Sequence, residues 1–83
     1  MQKRSWPAIV IDILEAALTP TNKMRIMYKS NLNFERFNRY LSDLLRKNFV
    51  EEMYNGQGKR VFKTTEQGKA LLNTLRDAQE LMS

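Results

Sequence analysis

Ile9, Ile13, Leu14, Ala17 and Leu18 recur at three- and four-residue spacing, the period that lines apolar side chains along one face of a helix. Ser5 is placed to cap that helix, and Trp6 and Pro7 fit its first turn, where a missing amide does no harm. Thr19-Pro20 ends it, because a residue before proline is pushed out of the helical region. A second, short helix runs from a cap at Thr21 or Asn22 to about Lys29, with Ile26 and Met27 inward, until Ser30-Asn31 breaks it. Asn33 caps a third helix, with Leu32 and Phe37 placed as a hydrophobic staple around the cap. Phe37, Leu41, Leu44 and Leu45 form its apolar stripe, and Asn48 suits a left-handed stop.

The period then changes. Phe49 to Tyr54 reads as a strand, Asn55-Gly56 as a two-residue turn and the segment through Val61-Phe62 as the returning strand. That turn pairs Glu52 with Lys59, Glu51 with Arg60, Val50 with Val61 and Phe49 with Phe62, although Gly58 admits a longer loop. Thr64 and Gln67 fit a capping box, with Thr65 as the rival cap, for a final helix to the carboxyl end. Leu71, Leu75, Ala78 and Met82, with Leu72 and Leu81 beside them, advance along that helix as a heptad-like seam. The fold class is mainly α with a two-stranded β-hairpin, in the order of a winged helix-turn-helix with an extra C-terminal helix. Residues 1–83 make one domain, and a chain so short buries little surface alone, which favours a homodimer.

Charge adds a direction to this outline. The chain carries a net +5, and residues 23–47 hold seven cationic side chains against two carboxylates, while the flanking segments cancel. A polyanion therefore meets the helix-turn-helix unit. On the third helix, Arg36, Asn38, Arg39 and Ser42 face away from the apolar stripe, and arginine and asparagine pair bidentately with guanine and adenine edges. Tyr28 and Lys29 are placed for phosphates, as are Lys59, Arg60 and Lys63 on the hairpin, and Asn33 sits at an anion-attracting helix start besides capping it. Lys3 and Arg4 suit a flexible arm near DNA, although two charges at a terminus are more often idle.

Composition narrows the chemistry. There is no cysteine and no histidine, so disulfides, thiolate metal sites and the usual neutral-pH general base are all absent, and we expect no metal, no cofactor and no enzyme. Glu51 and Glu52 are strand neighbours pointing to opposite faces and do not form a catalytic pair. Asp12 and Glu15 interrupt the apolar run after Lys3 and Arg4 too early for a secretory signal, and no run is long enough to span a bilayer; a cytoplasmic protein is expected. Trp6, Phe34, Tyr40, Phe49 and Phe62 read as core aromatics rather than as a base-stacking platform, which argues against RNA. The expected function is double-stranded DNA binding, as a transcriptional regulator or chromatin-type protein. The alternative is a winged-helix protein-interaction module without DNA binding.

Asn22 to Asn33, Arg39-Tyr40-Leu41, Asn48-Phe49-Val50 and Thr65-Glu66-Gln67-Gly68 together resemble the archaeal winged-helix family that includes small dimeric chromatin-type DNA-binding proteins. The resemblance covers nearly the whole chain and implies a homodimer joined through residues 65–83, which would place Leu71, Leu72, Leu75, Ala78, Leu81 and Met82 at the subunit contact. It departs from the family at Asn48, where a glycine is usual, and at Thr64, where a leucine is usual. The final helix is also shorter than in chromatin-type relatives, which favours a compact dimer over a long coiled-coil rod.

Overall fold

The computed structural model describes residues 5–83; Lys3 and Arg4, considered above as an arm, lie outside the described residues. Four helices and one hairpin follow in the order α1 (Trp6–Ala16), α2 (Lys23–Ser30), α3 (Phe34–Arg46), β1 (Val50–Tyr54), β2 (Arg60–Thr64) and α4 (Glu66–Met82). This is the winged helix architecture with its additional last helix.

The core forms around α1, whose Ile9, Ile13 and Leu14 are fully buried, each burial worth about 1.5–3 kcal/mol. Ile26 from α2, Phe37, Leu41 and Leu44 from α3, Val50 and Phe62 from the hairpin, and Leu72 and Leu75 from α4 close around it. Helix α1 is shorter than its apolar period. The Ala17 carbonyl accepts from the Thr64 amide at 2.8 Å instead of continuing the helix, and Leu18 is left exposed. Ser5 has the extended backbone of a cap, but its side chain makes no capping bond; proline, in the first turn, lacks one of the amides that a cap would serve.

Local chemistry places α2 and α3. The Asn22 side chain accepts from the Arg25 amide at 2.9 Å, deciding between the two predicted caps, and Asn33 accepts from the Arg36 amide at 2.8 Å. Asn31, with φ 54°, turns the chain between the helices. At the far end of α3, Asn48 takes φ 65° while the Phe49 amide donates to the Leu44 carbonyl at 2.8 Å and the Asn48 amide to the Leu45 carbonyl at 3.1 Å, the paired bonds of a Schellman stop. Replacing Asn33 by Ala removes the α3 cap, and urea unfolding of that variant is expected to show a loss of about 1 kcal/mol.

The hairpin register differs from the predicted one. Val50 pairs with Thr64, Glu51 with Lys63, Glu52 with Phe62, Met53 with Val61 and Tyr54 with Arg60. The cause is the Asn55 side chain, whose Oδ1 accepts from the amides of Gln57 at 2.9 Å and Lys59 at 3.0 Å. With Gly58 at φ 75° and its amide bonded to the Asn55 carbonyl at 2.9 Å, the loop closes between Asn55 and Lys59, a three-residue turn with a left-handed glycine. Thr21 bridges Phe62 through bonds of 3.1 and 2.8 Å, tying the hairpin to the α1–α2 connection.

The cap of α4 is Thr65, not Thr64: its hydroxyl accepts from the Gly68 amide at 3.0 Å and donates to the Asn48 carbonyl at 2.7 Å. Thr64 stays in β2, buried, with its hydroxyl donating to the Leu14 carbonyl at 2.8 Å. That bond satisfies a hydroxyl that would otherwise be buried without a partner. Gln67, freed from the capping box, accepts from the Asn48 side chain at 3.0 Å. Near the cap, a hydrogen bond from Lys69 and then its charge hold the Glu66 carboxyl below its ordinary range. A depressed value of this kind contributes at neutral pH and fades as the medium is acidified.

Candidate nucleic-acid interface

The helix-turn-helix unit gathers cationic side chains because its two short helices share one core and turn their remaining faces outward. Both carboxylates within residues 23–47 are used locally: Glu35 pairs with Arg39 at 3.0 Å and Asp43 pairs with Arg46. Both pairs are mostly exposed, so each is worth little and exchanges readily with a competing anion. Lys23, Arg25, Lys29, Arg36 and Lys47 make no ion pair with another described residue. The local excess of cations is therefore presented by these side chains.

The predicted residues separate around α3. Asn38, Arg39 and Ser42 share one shallow depression with Phe34 and the two ion pairs. Arg36 lies two residues from Asn38, about 200° around the helix axis, and stands exposed on the other flank. A helix seated in a groove meets one wall with each flank, so this division suits two strands better than one. Tyr28 and Lys29 are exposed at the end of α2. Asn33 is engaged as the cap described above. Sequence reasoning passed over Arg25, four residues before Lys29; both line a cleft between α2 and the end of α1. The i, i+4 spacing was the available signal.

On the hairpin, Lys59 is exposed in the turn and Lys63 is half-buried. Arg60 bonds Glu52 at 3.3 Å and lies 5.4 Å from the centre of the Phe62 ring, so it is the most restrained of the three.

Two aromatics expected in the core are outside it: Trp6 is 59% exposed and Phe34 60%. Both open their helices, beyond the packed stripe. Tyr40 and Phe49 are half-buried against the core, and Phe62 is in it. The Lys23 ammonium lies 5.5 Å from the Phe34 ring centre.

The apolar seam of α4 is divided as well. Leu72 and Leu75 are buried in this protomer's own core and Leu71 is half-buried against it, whereas Ala78, Leu81 and Met82 are exposed. Ala78 and Met82 border an apolar groove with Trp6, Pro7 and Leu75.

Among the described residues, no group of three or more histidine, cysteine or acidic side chains is gathered as a metal site would need, and no helix is long and apolar enough to cross a membrane.

The profile of the winged helix-turn-helix family matches residues 3–83. An uncharacterized protein of the archaeon Methanocaldococcus jannaschii, MJ0287, is 32% identical over 82 residues, spanning 98% of this chain and 79% of its own. Among solved structures, Sso10a-2, a DNA-binding protein from Sulfolobus solfataricus, superposes with a TM-score of 0.84 at 20% identity, covering 95% of this chain and 82% of that one. The PcaV transcriptional regulator from Streptomyces coelicolor, solved with its natural ligand, gives a TM-score of 0.76 at 18% identity, covering 96% of this chain and 57% of that one.

Proposed function

The chain belongs to the winged helix-turn-helix family, and from that premise we propose that it binds double-stranded DNA, seating α3 in the major groove and setting α2 and the hairpin against the phosphates. The observation that carries this reading is the set of cations on α2 and α3 left without carboxylate partners among the described residues, on the unit that docks on DNA in this fold. Arg36, Asn38, Arg39 and Ser42 reach the groove; Tyr28, Lys29, Asn33, Lys59, Arg60 and Lys63 contact or approach the backbone. The protein acts by binding and not by catalysis, as a transcriptional regulator or chromatin-type protein, and Sso10a-2 and PcaV, named for such roles, support that range.

The working unit in this reading is a homodimer. Exposed Ala78 and Met82, which border the groove with Trp6, and exposed Leu81 supply the subunit contact, while Leu71 flanks it and Leu72 and Leu75 brace the helix from within. Pairing two protomers sets two α3 helices against successive major grooves.

Affinity for a random duplex is expected to fall steeply with salt. With about four phosphates neutralised per protomer, hence about eight per dimer, the slope of log affinity against log salt is roughly −7, which is ~10⁴-fold between 50 and 200 mM. A fluorescence-anisotropy titration at the two concentrations measures it. Binding indifferent to salt, or none, would remove the electrostatic basis of the reading.

A further inference from the structure

We propose that Phe34 reads the 5-methyl group of thymine in the major groove, giving the protein a preference for A·T steps. This rests on the duplex-binding reading above and names what the surface discriminates.

Phe34 is a large apolar side chain, 60% exposed, at the first position of the helix that enters the groove. Its neighbours on that face divide by charge. The guanidinium groups of Arg39 and Arg46 are each held by a carboxylate one turn away, Glu35 and Asp43. Guanine is read by an arginine fork on O6 and N7, which Arg39 offers only after exchanging Glu35 and which Arg36 offers on the other flank, outside the depression. The uncharged side chains of the depression, Phe34, Asn38 and Ser42, remain, spaced by four residues in a single row. Each step along the row rises about 6 Å, close to two base-pair steps.

The chemistry of that row matches A·T pairs. The Asn38 amide fits adenine N6 and N7, and in the major groove the apolar feature that a phenyl ring meets is the thymine methyl. The Lys23 ammonium, 5.5 Å from the ring centre, carries beside it a charge that a phosphate attracts. Stacking on unpaired bases calls for successive rings forming a platform, whereas this row continues into an amide and a hydroxyl.

The test compares an alternating A-T duplex with its counterpart carrying uracil for thymine, which differs by one methyl per base pair. Wild-type protein is expected to bind the thymine duplex roughly fourfold more tightly for each methyl buried. In F34A the ratio drops to about one with the thermal melting curve unchanged, since the ring is mostly exposed, and F34L retains most of the discrimination. Equal wild-type affinity for both duplexes would overturn the thymine reading while leaving duplex binding intact. A ratio that persists in F34A would overturn it too, because the methyl would then act through duplex shape. Failure to bind either duplex would overturn the DNA-binding reading itself, and this inference with it.

Discussion

Gly68→Ala is expected to destabilise the protein by about 1–3 kcal/mol. A Cβ at residue 68 would overlap the Phe49 carbonyl oxygen and lie 2.7 Å from Thr64 Cγ2 and 3.0 Å from the Phe49 carbonyl carbon. Two of those atoms are backbone, so no rotamer change makes room. That oxygen also accepts from the Thr65 amide at 3.0 Å, and the Thr65 hydroxyl holds the Asn48 carbonyl. Moving α4 outward to admit a methyl breaks the joint that docks it onto the α3–β1 corner. Helix propensity works the other way, favouring alanine by about 0.8–1 kcal/mol, which is too small to compensate. Thermal melting should drop by roughly 4–25 °C on the scaling for domains of this size. A variant as stable as the wild type would show that propensity governs and that the close approach is not as drawn.

The same corner explains why parts of the fold were legible in the sequence and others not. Helix ends were readable where one residue acts on nearby backbone: Asn22 and Asn33 cap, and Asn31 and Asn48 take left-handed stops, all within four residues of the groups they bond. The hairpin register was misread because Asn55-Gly56 signals a tight turn, while the Asn55 carboxamide instead gathers the amides of Gln57 and Lys59 into a wider one. The Thr64 and Thr65 choice depended on Leu14 and Asn48, far away in the chain. No local pattern carries such a contact. Periodicity likewise marked the α4 seam without saying what buries each residue, and α1 turns out to cover Leu72 and Leu75 within the protomer.

The candidate interface was legible as charge and incomplete as geometry. Counting cations located the excess correctly in α2 and α3, because net charge adds regardless of conformation. It did not reveal that Glu35 and Asp43 are occupied by Arg39 and Arg46, or that Phe34 stands in the open beside them. Both follow from the helical phase of α3 against the core, which periodicity gives only to within a residue or so of the true edge of the apolar stripe.

Replacing Arg36 and Arg39 together by Ala is the strongest expected effect on binding, a loss of at least about thirtyfold in duplex affinity if each side chain makes one good contact. The two residues are chosen because they occupy different surroundings: Arg36 makes no ion pair with a described residue, whereas Arg39 must exchange Glu35 for DNA. Arg36→Ala alone should therefore account for the larger share. Removing Arg39 also leaves Glu35 uncompensated beside the groove, which adds repulsion to the lost contact. Both side chains are exposed, so urea unfolding should shift by no more than about 0.5 kcal/mol. An electrophoretic shift titration at low salt, run beside the unfolding curve, separates lost contact from lost fold. Wild-type affinity in the double variant would mean that α3 does not face the duplex, and the hairpin cations Lys59 and Lys63 would then have to hold it without the helix.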